Sequence, residues 1–191
     1  MLQCNGKLNQ KLPFKANKFL LKGSYNKSLI LSLIKKASDF YKIPEELLRA
    51  IAYVESGLGP GDDFLPWSIN IKGKGYNFKS KIEALNFLKE NLKLTKNIDI
   101  GLMQINYYYH GKNFNNLEDA FDLEKNINYA AKFLYLLYLR YGSWENAVKR
   151  YHGNSHIKNE SYLEKVAKYL SYDIKELENY FSGLKKDLNC I

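Results

Sequence analysis

Cysteine is scarce in these 191 residues: Cys4 and Cys190 are the only two, and they lie almost at opposite ends of the chain. Domain termini often sit close together, so an end-to-end disulfide in an oxidising compartment and two unrelated free thiols both stand open. Histidine is scarce as well, with three at scattered spacing, and no metal site is expected from so few ligands. No apolar run is long enough to cross a bilayer. The first residues lack the apolar core of a signal peptide, which leaves a cytosolic chain or a mature or trimmed form. There is no internal repeat and no low-complexity segment. Nor is there a basic block with interleaved aromatics, so no nucleic-acid partner is expected.

The length suits one domain with a proper core. Hydrophobic residues at 46% and charged residues at 26% are ordinary for a soluble globular protein. The formal net charge is +9, which favours an acidic partner such as nucleic acid, an anionic membrane or an acidic cell-wall polymer. Aromatic residues make up 15%, and 16 of them are Tyr, a side chain that suits both core edges and sugar platforms.

The stretch from Ile43 to Leu58 reads as a central helix. Pro44 suits the first helical position, and Glu45 and Glu46 favour the dipole of the first turn. Leu47, Leu48, Ile51, Ala52 and Val54 give an apolar face, and Glu55 lies four residues after Ile51 on that face. Gly57 is the expected stop. A carboxylate on the apolar side of a helix end loses hydration, which raises its pKa towards what a general acid needs near neutral pH. On this stretch alone it reads sooner as a solvated helix-end acid or half of an ion pair than as a catalytic one.

Residues 1–27 read as an extended arm and Ser28–Tyr41 as the first helix. Gly59–Asp63 is a loop, and Ser68–Ile71 with Tyr76–Phe78 alternates as a short β-hairpin. Ser80 and Glu83 form a capping-box pattern for a helix carrying Ile82, Leu85, Phe87 and Leu88. Asn126–Tyr141 is apolar nearly all round and is expected at the buried centre of a bundle. Gly142 ends it, and Ser143 caps a short helix over Trp144–Tyr151. Ser161 with Glu164, and Asp173 with Glu176, suggest two further helix starts.

Two more stretches carry chemistry. Asn97–Asn106 is apolar, with Gly101 allowing close backbone approach and Gln104 set among hydrophobic neighbours; a buried Gln needs a partner or a ligand. Asp99, in the same stretch, reads first as a loop or cap residue. Trp144–Asn154 ends its helix in Tyr151-His152-Gly153.

Glu55-Ser56-Gly57, then Gly101-Leu102-Met103-Gln104-Ile105, then Tyr151-His152-Gly153, in that order, resemble the catalytic domain of the soluble lytic transglycosylases, peptidoglycan-cleaving relatives of goose-type lysozyme. The resemblance covers residues 28–155, leaves 156–191 as C-terminal helices packed on the same domain, and is nearest to small periplasmic forms that serve envelope-spanning secretion or motility machines. It implies a mainly α (α+β) lysozyme-like fold with a small β-hairpin beside the substrate groove. It also implies a periplasmic location, peptidoglycan glycan strands as partner and no cofactor.

Residue by residue, the resemblance implies that Glu55 is the single acid and base. Ser56 aligns with a serine near the substrate's N-acetyl and peptide groups, Met103 and Gln104 with residues lining sugar subsites, and Tyr151 with a tyrosine at the cleavage point. The family's usual Ala-Tyr-Asn is here Arg150-Tyr151-His152, so His152 is either a hydrogen-bonding group near the site or a surface residue. A hairpin and helix also replace the usual short loop before Gly101.

The implied reaction cleaves the bond between N-acetylmuramic acid and N-acetylglucosamine without water, leaving a 1,6-anhydro ring. The alternatives are a hydrolytic muramidase with Asp99 positioning water, and a catalytically silent peptidoglycan-binding assembly factor.

Overall fold

The computed structural model describes residues 26–56, 64–153 and 156–176. Gly57, Cys4, Cys190, most of the N-terminal arm and the 59–63 loop lie outside the described residues, so the expected helix stop and the cysteine pairing are not addressed by it.

Helix α1 spans Lys27–Tyr41 and α2 spans Glu45–Ser56. Asn26 starts α1, its side chain accepting the N–H of Ser28 at 2.8 Å. Ile30, Ile34, Ala37 and Ser38 bury the inner face. Pro44 stands one residue ahead of α2, its carbonyl accepting the N–H of Leu48. Arg49 reaches back to Glu45 at 3.2 Å and to Glu46 at 3.7 Å, tying down the first turn. The remainder of α2 is buried almost all round, through Leu47, Leu48, Ala50, Ile51, Ala52 and Tyr53.

A four-stranded antiparallel sheet follows, in the order β2-β1-β3-β4. The expected hairpin forms from β1, Ser68–Ile71, and β2, Lys74–Asn77, but with a tighter turn: Lys74 and Gly75 pair with Ile71 and Asn70 in the ladder, and Phe78, expected in the second strand, lies outside it. The Asn97–Asn106 stretch supplies β3, Ile98–Ile100, and β4, Ile105–Asn106, joined by a turn over residues 101–104. Asp99 is therefore a strand residue, not the loop or cap residue its type suggested.

The pairing sets Ile69 beside Ile100 and Ile71 beside Ile98, while Asn70, Asp99 and Asn106 form a row across three strands. Because side chains alternate along a strand, the isoleucines and this polar row take opposite faces. The apolar face packs with Ala84, Leu85 and Leu88 of α3, Lys81–Leu92, as a small second core. Ser80 caps α3 by accepting the N–H of Glu83, as its pattern indicated. Ile82, however, is 71% exposed and lies off the inner stripe.

Short helices α4, Tyr107–His110, and α5, Leu117–Ala120, lead into α6, Leu123–Tyr141, which is capped by Asp122 and ended by Gly142. α6 is not buried all round: Leu136 and Leu139 are 50% and 57% exposed, and only one face joins the core. The buried centre is α2. Helix α7, Trp144–His152, starts on the Ser143 cap, and α8, His156–Ala167, packs on α7 and α2. Ser161 lies inside α8 and caps nothing, because that helix begins five residues earlier. Asp173 does accept a backbone N–H, from Lys175, at the start of a helical turn.

The main core collects residues of α1, α2, α6, α7 and α8 together with Leu102, Met103 and Ile105 of the turn. The end of α2 and the 101–104 turn thus meet where the helical body adjoins the sheet.

Candidate active site

The 101–104 turn is held on three sides. Gly101 adopts φ +79°, and a Cβ there would lie 2.7 Å from Asn126 Nδ2 and 3.1 Å from the Ala120 carbonyl, so only glycine fits without displacement. Asn126, buried on α6, donates through Nδ2 to the carbonyls of Ile100 (3.1 Å) and Ala120 (2.9 Å). Its Oδ1 accepts the N–H of Met103 at 2.9 Å. From β1, Ser68 accepts the N–H of Gly101 on its carbonyl and donates its hydroxyl to the Gly101 carbonyl.

Gln104 sits in the left-handed region, φ 45°, unusual for a residue with a side chain. Its amide folds back, Nε2 donating to Ser68 Oγ at 2.9 Å and to the Gly101 carbonyl at 2.8 Å. The buried-Gln argument is thereby met by protein partners. The hydroxyl of Tyr151, from the last turn of α7, donates to the Met103 carbonyl at 2.9 Å, closing the turn against the helical body. The Tyr151 ring also packs on Phe133 of α6.

Glu55 stands at the end of α2, half-buried, with Oε1 accepting the hydroxyl of Tyr162 at 2.6 Å. Loss of hydration is the largest influence on its carboxyl and raises it from the usual 4.5 to about 8. The Tyr162 hydrogen bond and the nearby Lys165 cation pull it down; the Asp99 charge pushes it up. At neutral pH this carboxyl holds its proton, as a general acid must.

Burial and the adjacent Glu55 charge push the phenols of Tyr151 and Tyr162 well above their ordinary value, so both remain donors. Burial also raises the Asp99 carboxyl, against a 2.8 Å hydrogen bond from Asn106 Nδ2.

Of the residues singled out from sequence, Glu55 and Tyr151 stand in one electrostatic neighbourhood together with Asp99, which the resemblance left aside. Gln104 and Met103 belong to the turn that Tyr151 closes. Met103 is buried in the main core, and Ser56 is buried with its hydroxyl donating to the Tyr53 carbonyl inside α2. His152 is exposed, but its ring lies flat on Tyr162, 4.5 Å between centroids and 9° between planes. The partial cover of its ring holds the His152 imidazole below its ordinary value, helped by the Lys165 and Lys158 cations.

Sequence reasoning missed Tyr162, Asn126 and Ser68. Tyr162 and Val166 recur at helical spacing as an ordinary core pair, and nothing local links Tyr162 to a carboxylate 107 residues away. A separate concavity of about 500 Å³, lined by Tyr41, Phe114, Asp119, Tyr129 and neighbours, includes neither Glu55 nor the 101–104 turn. Among the described residues no group of three His, Cys, Asp or Glu side chains is placed to hold a metal ion, and no helix is long and apolar enough to cross a membrane.

A family model described as a transglycosylase SLT domain matches residues 32–172, a span that holds Glu55, the turn, Tyr151 and Tyr162. No curated protein and no solved structure matches the chain.

Proposed function

The chain belongs to the transglycosylase SLT domain family, lytic transglycosylase catalytic domains of the lysozyme-like superfamily that act on peptidoglycan, and from that premise we propose that it cleaves glycan strands between N-acetylmuramic acid and N-acetylglucosamine without consuming water. The observation that carries this reading is Glu55: a carboxyl raised to about 8 by burial, with a phenol hydroxyl 2.6 Å away.

Protonated Glu55 gives its proton to the glycosidic oxygen, and the bond to the muramyl C1 breaks. The substrate's own N-acetyl oxygen stabilises the positive carbon. Glu55, now a carboxylate held by the Tyr162 hydroxyl, removes the proton from the sugar's 6-hydroxyl, whose oxygen bonds to C1. The product is a 1,6-anhydro ring, and the acid is restored to its starting state. Because the 6-hydroxyl already belongs to the substrate, its attack avoids much of the entropic cost of capturing a water. Tyr151 and Gln104 shape the floor of the sugar site in this reading, with Ser56 and Met103 supporting it from beneath. A periplasmic setting and service to an envelope-spanning machine fit the same reading.

One observation favours a second reading. Asp99 lies within electrostatic reach of Glu55, and a second carboxylate is what a hydrolytic muramidase uses to position water or to attack. Purified peptidoglycan digested by the wild-type protein separates the two. Anhydro-muropeptides, each lighter by one water, support the transglycosylase. Reducing-end muropeptides support the hydrolase. No soluble product, or equal product from Glu55→Gln, ends both.

A further inference from the structure

On α8, Lys158, Tyr162 and Lys165 are separated by four and then three residues, so they stand in line on one face of the helix. Tyr162 is fixed at both ends, its hydroxyl on Glu55 and its ring under His152. The two lysines, one turn to either side, are exposed. Lys165 acts electrostatically on Glu55, and both lysines act on His152. Neither makes an ion pair with a carboxylate among the described residues. Of the two acids on the same helix, Glu160 is taken by Lys149 at 2.8 Å, and Glu164, next to Lys165 in sequence, makes no ion pair with either lysine. Lys149 in turn also holds Glu145 at 2.8 Å.

Two ammonium groups without an ion pair, on the helix face that carries the Tyr162 partner of Glu55, suit an anion supplied by the substrate. The N-acetyl sugars of a glycan strand carry none in their rings. Its negative charges are the carboxylates of the peptides attached to the muramyl lactyl groups. An ammonium is a compact charge on a flexible stem, suited to following a mobile peptide carboxylate, whereas a fixed bidentate geometry calls for arginine.

We propose that Lys158 and Lys165 form a carboxylate-binding pair for the stem peptide at the cleavage point, so that the protein selects glycan strands whose peptides carry free carboxylates. This rests on the reading of Glu55 as the acid of a peptidoglycan-cleaving site.

The test measures binding without turnover. Sedimentation with purified sacculi compares Glu55→Gln protein with the same protein carrying Lys158→Met and Lys165→Met, at low salt. Two preparations are used: native sacculi, and sacculi whose carboxylates have been amidated. Two exposed ion pairs are together worth about tenfold in affinity. The expected result is about tenfold weaker binding to native sacculi, no difference on amidated sacculi, and restoration by Lys158→Arg with Lys165→Arg. Equal binding to native sacculi, or the same loss on amidated sacculi, overturns the proposal. Because no bond is broken in this assay, its outcome is independent of the product analysis that tests the reaction itself.

Discussion

Replacing Glu55 by Gln keeps the shape of the side chain and an oxygen for the Tyr162 hydroxyl, but removes the titrating proton. The consequence for stability is sharper than the loss of activity. In the unfolded chain a glutamate titrates near 4.5; in the folded protein Glu55 does so at about 8. Between those values the folded state keeps a proton that the unfolded state has released, so rising pH favours unfolding.

Each pH unit in that window is worth about 1.4 kcal/mol, giving an upper bound of about 5 kcal/mol across it. Glu55 retains some contact with solvent, so we expect about 2–3 kcal/mol. The Gln variant has no such dependence. Urea unfolding of both proteins from pH 4 to pH 9 should show the variant gaining on the wild type through the window, then a constant gap above about pH 8. Other titrating groups cancel in the difference. A difference that is flat with pH, or that favours the wild type as pH rises, would mean that Glu55 is an ordinary solvated acid and would remove the physical basis for its role.

Gly101→Ala forces a side chain into the left-handed region and against Asn126, and should cost about 3 kcal/mol in urea unfolding; a cost under about 1 kcal/mol would show that the turn is not clamped as described. Tyr162→Phe removes a bond that pulls Glu55 down, so the alkaline limb of kcat/KM against pH should move upward from about 8, with about 1 kcal/mol of stability lost. An unmoved limb at full activity would uncouple Tyr162 from the acid. Asp99→Asn should leave anhydro products as the main species and lower the Glu55 limb, since the Asp99 charge pushes Glu55 up. Reducing-end products in the wild type, lost in this variant, would establish the hydrolase.

The parts of the fold that could be read from the chain are those set by local rules. The Ser80 and Ser143 caps, the Gly142 stop and the 68–77 hairpin all follow from a few adjacent residues. The reading failed where burial is decided by distant packing. α6 shows apolar residues on every side, yet Leu136 and Leu139 face outward because one stripe is enough to join the core. Ser161 with Glu164 has the spacing of a cap but sits mid-helix.

The same division holds at the site. The place of Glu55 at the end of an apolar helix face is legible locally, its proposed role only through the ordered resemblance of three stretches, and the need for Gly101 from its neighbours. What surrounds them comes from afar: Asn126 reaches the turn from α6, and Tyr162 reaches Glu55 across 107 residues. No periodicity in a single chain marks a tyrosine whose hydroxyl, and not its ring, is the useful part.

Asp99 shows why the two chemistries differ by surroundings more than by residue type. Its carboxyl is held by Asn106 on the next strand, and Asn106 Nδ2 is shared at 2.8 Å with Asn97 Oδ1. A carboxylate held in this way is anchored to the sheet, in a row with Asn70 and Asn106. Its charge has an effect that needs no water and no covalent bond: it adds to the burial that raises Glu55. In the proposed reaction the same charge, fixed near the site, would favour the positive carbon formed as the glycosidic bond breaks. Asp99 can therefore assist a reaction whose only proton carrier is Glu55. A carboxylate beside the acid is compatible with anhydro products, and the product, not the count of acids, distinguishes the reactions.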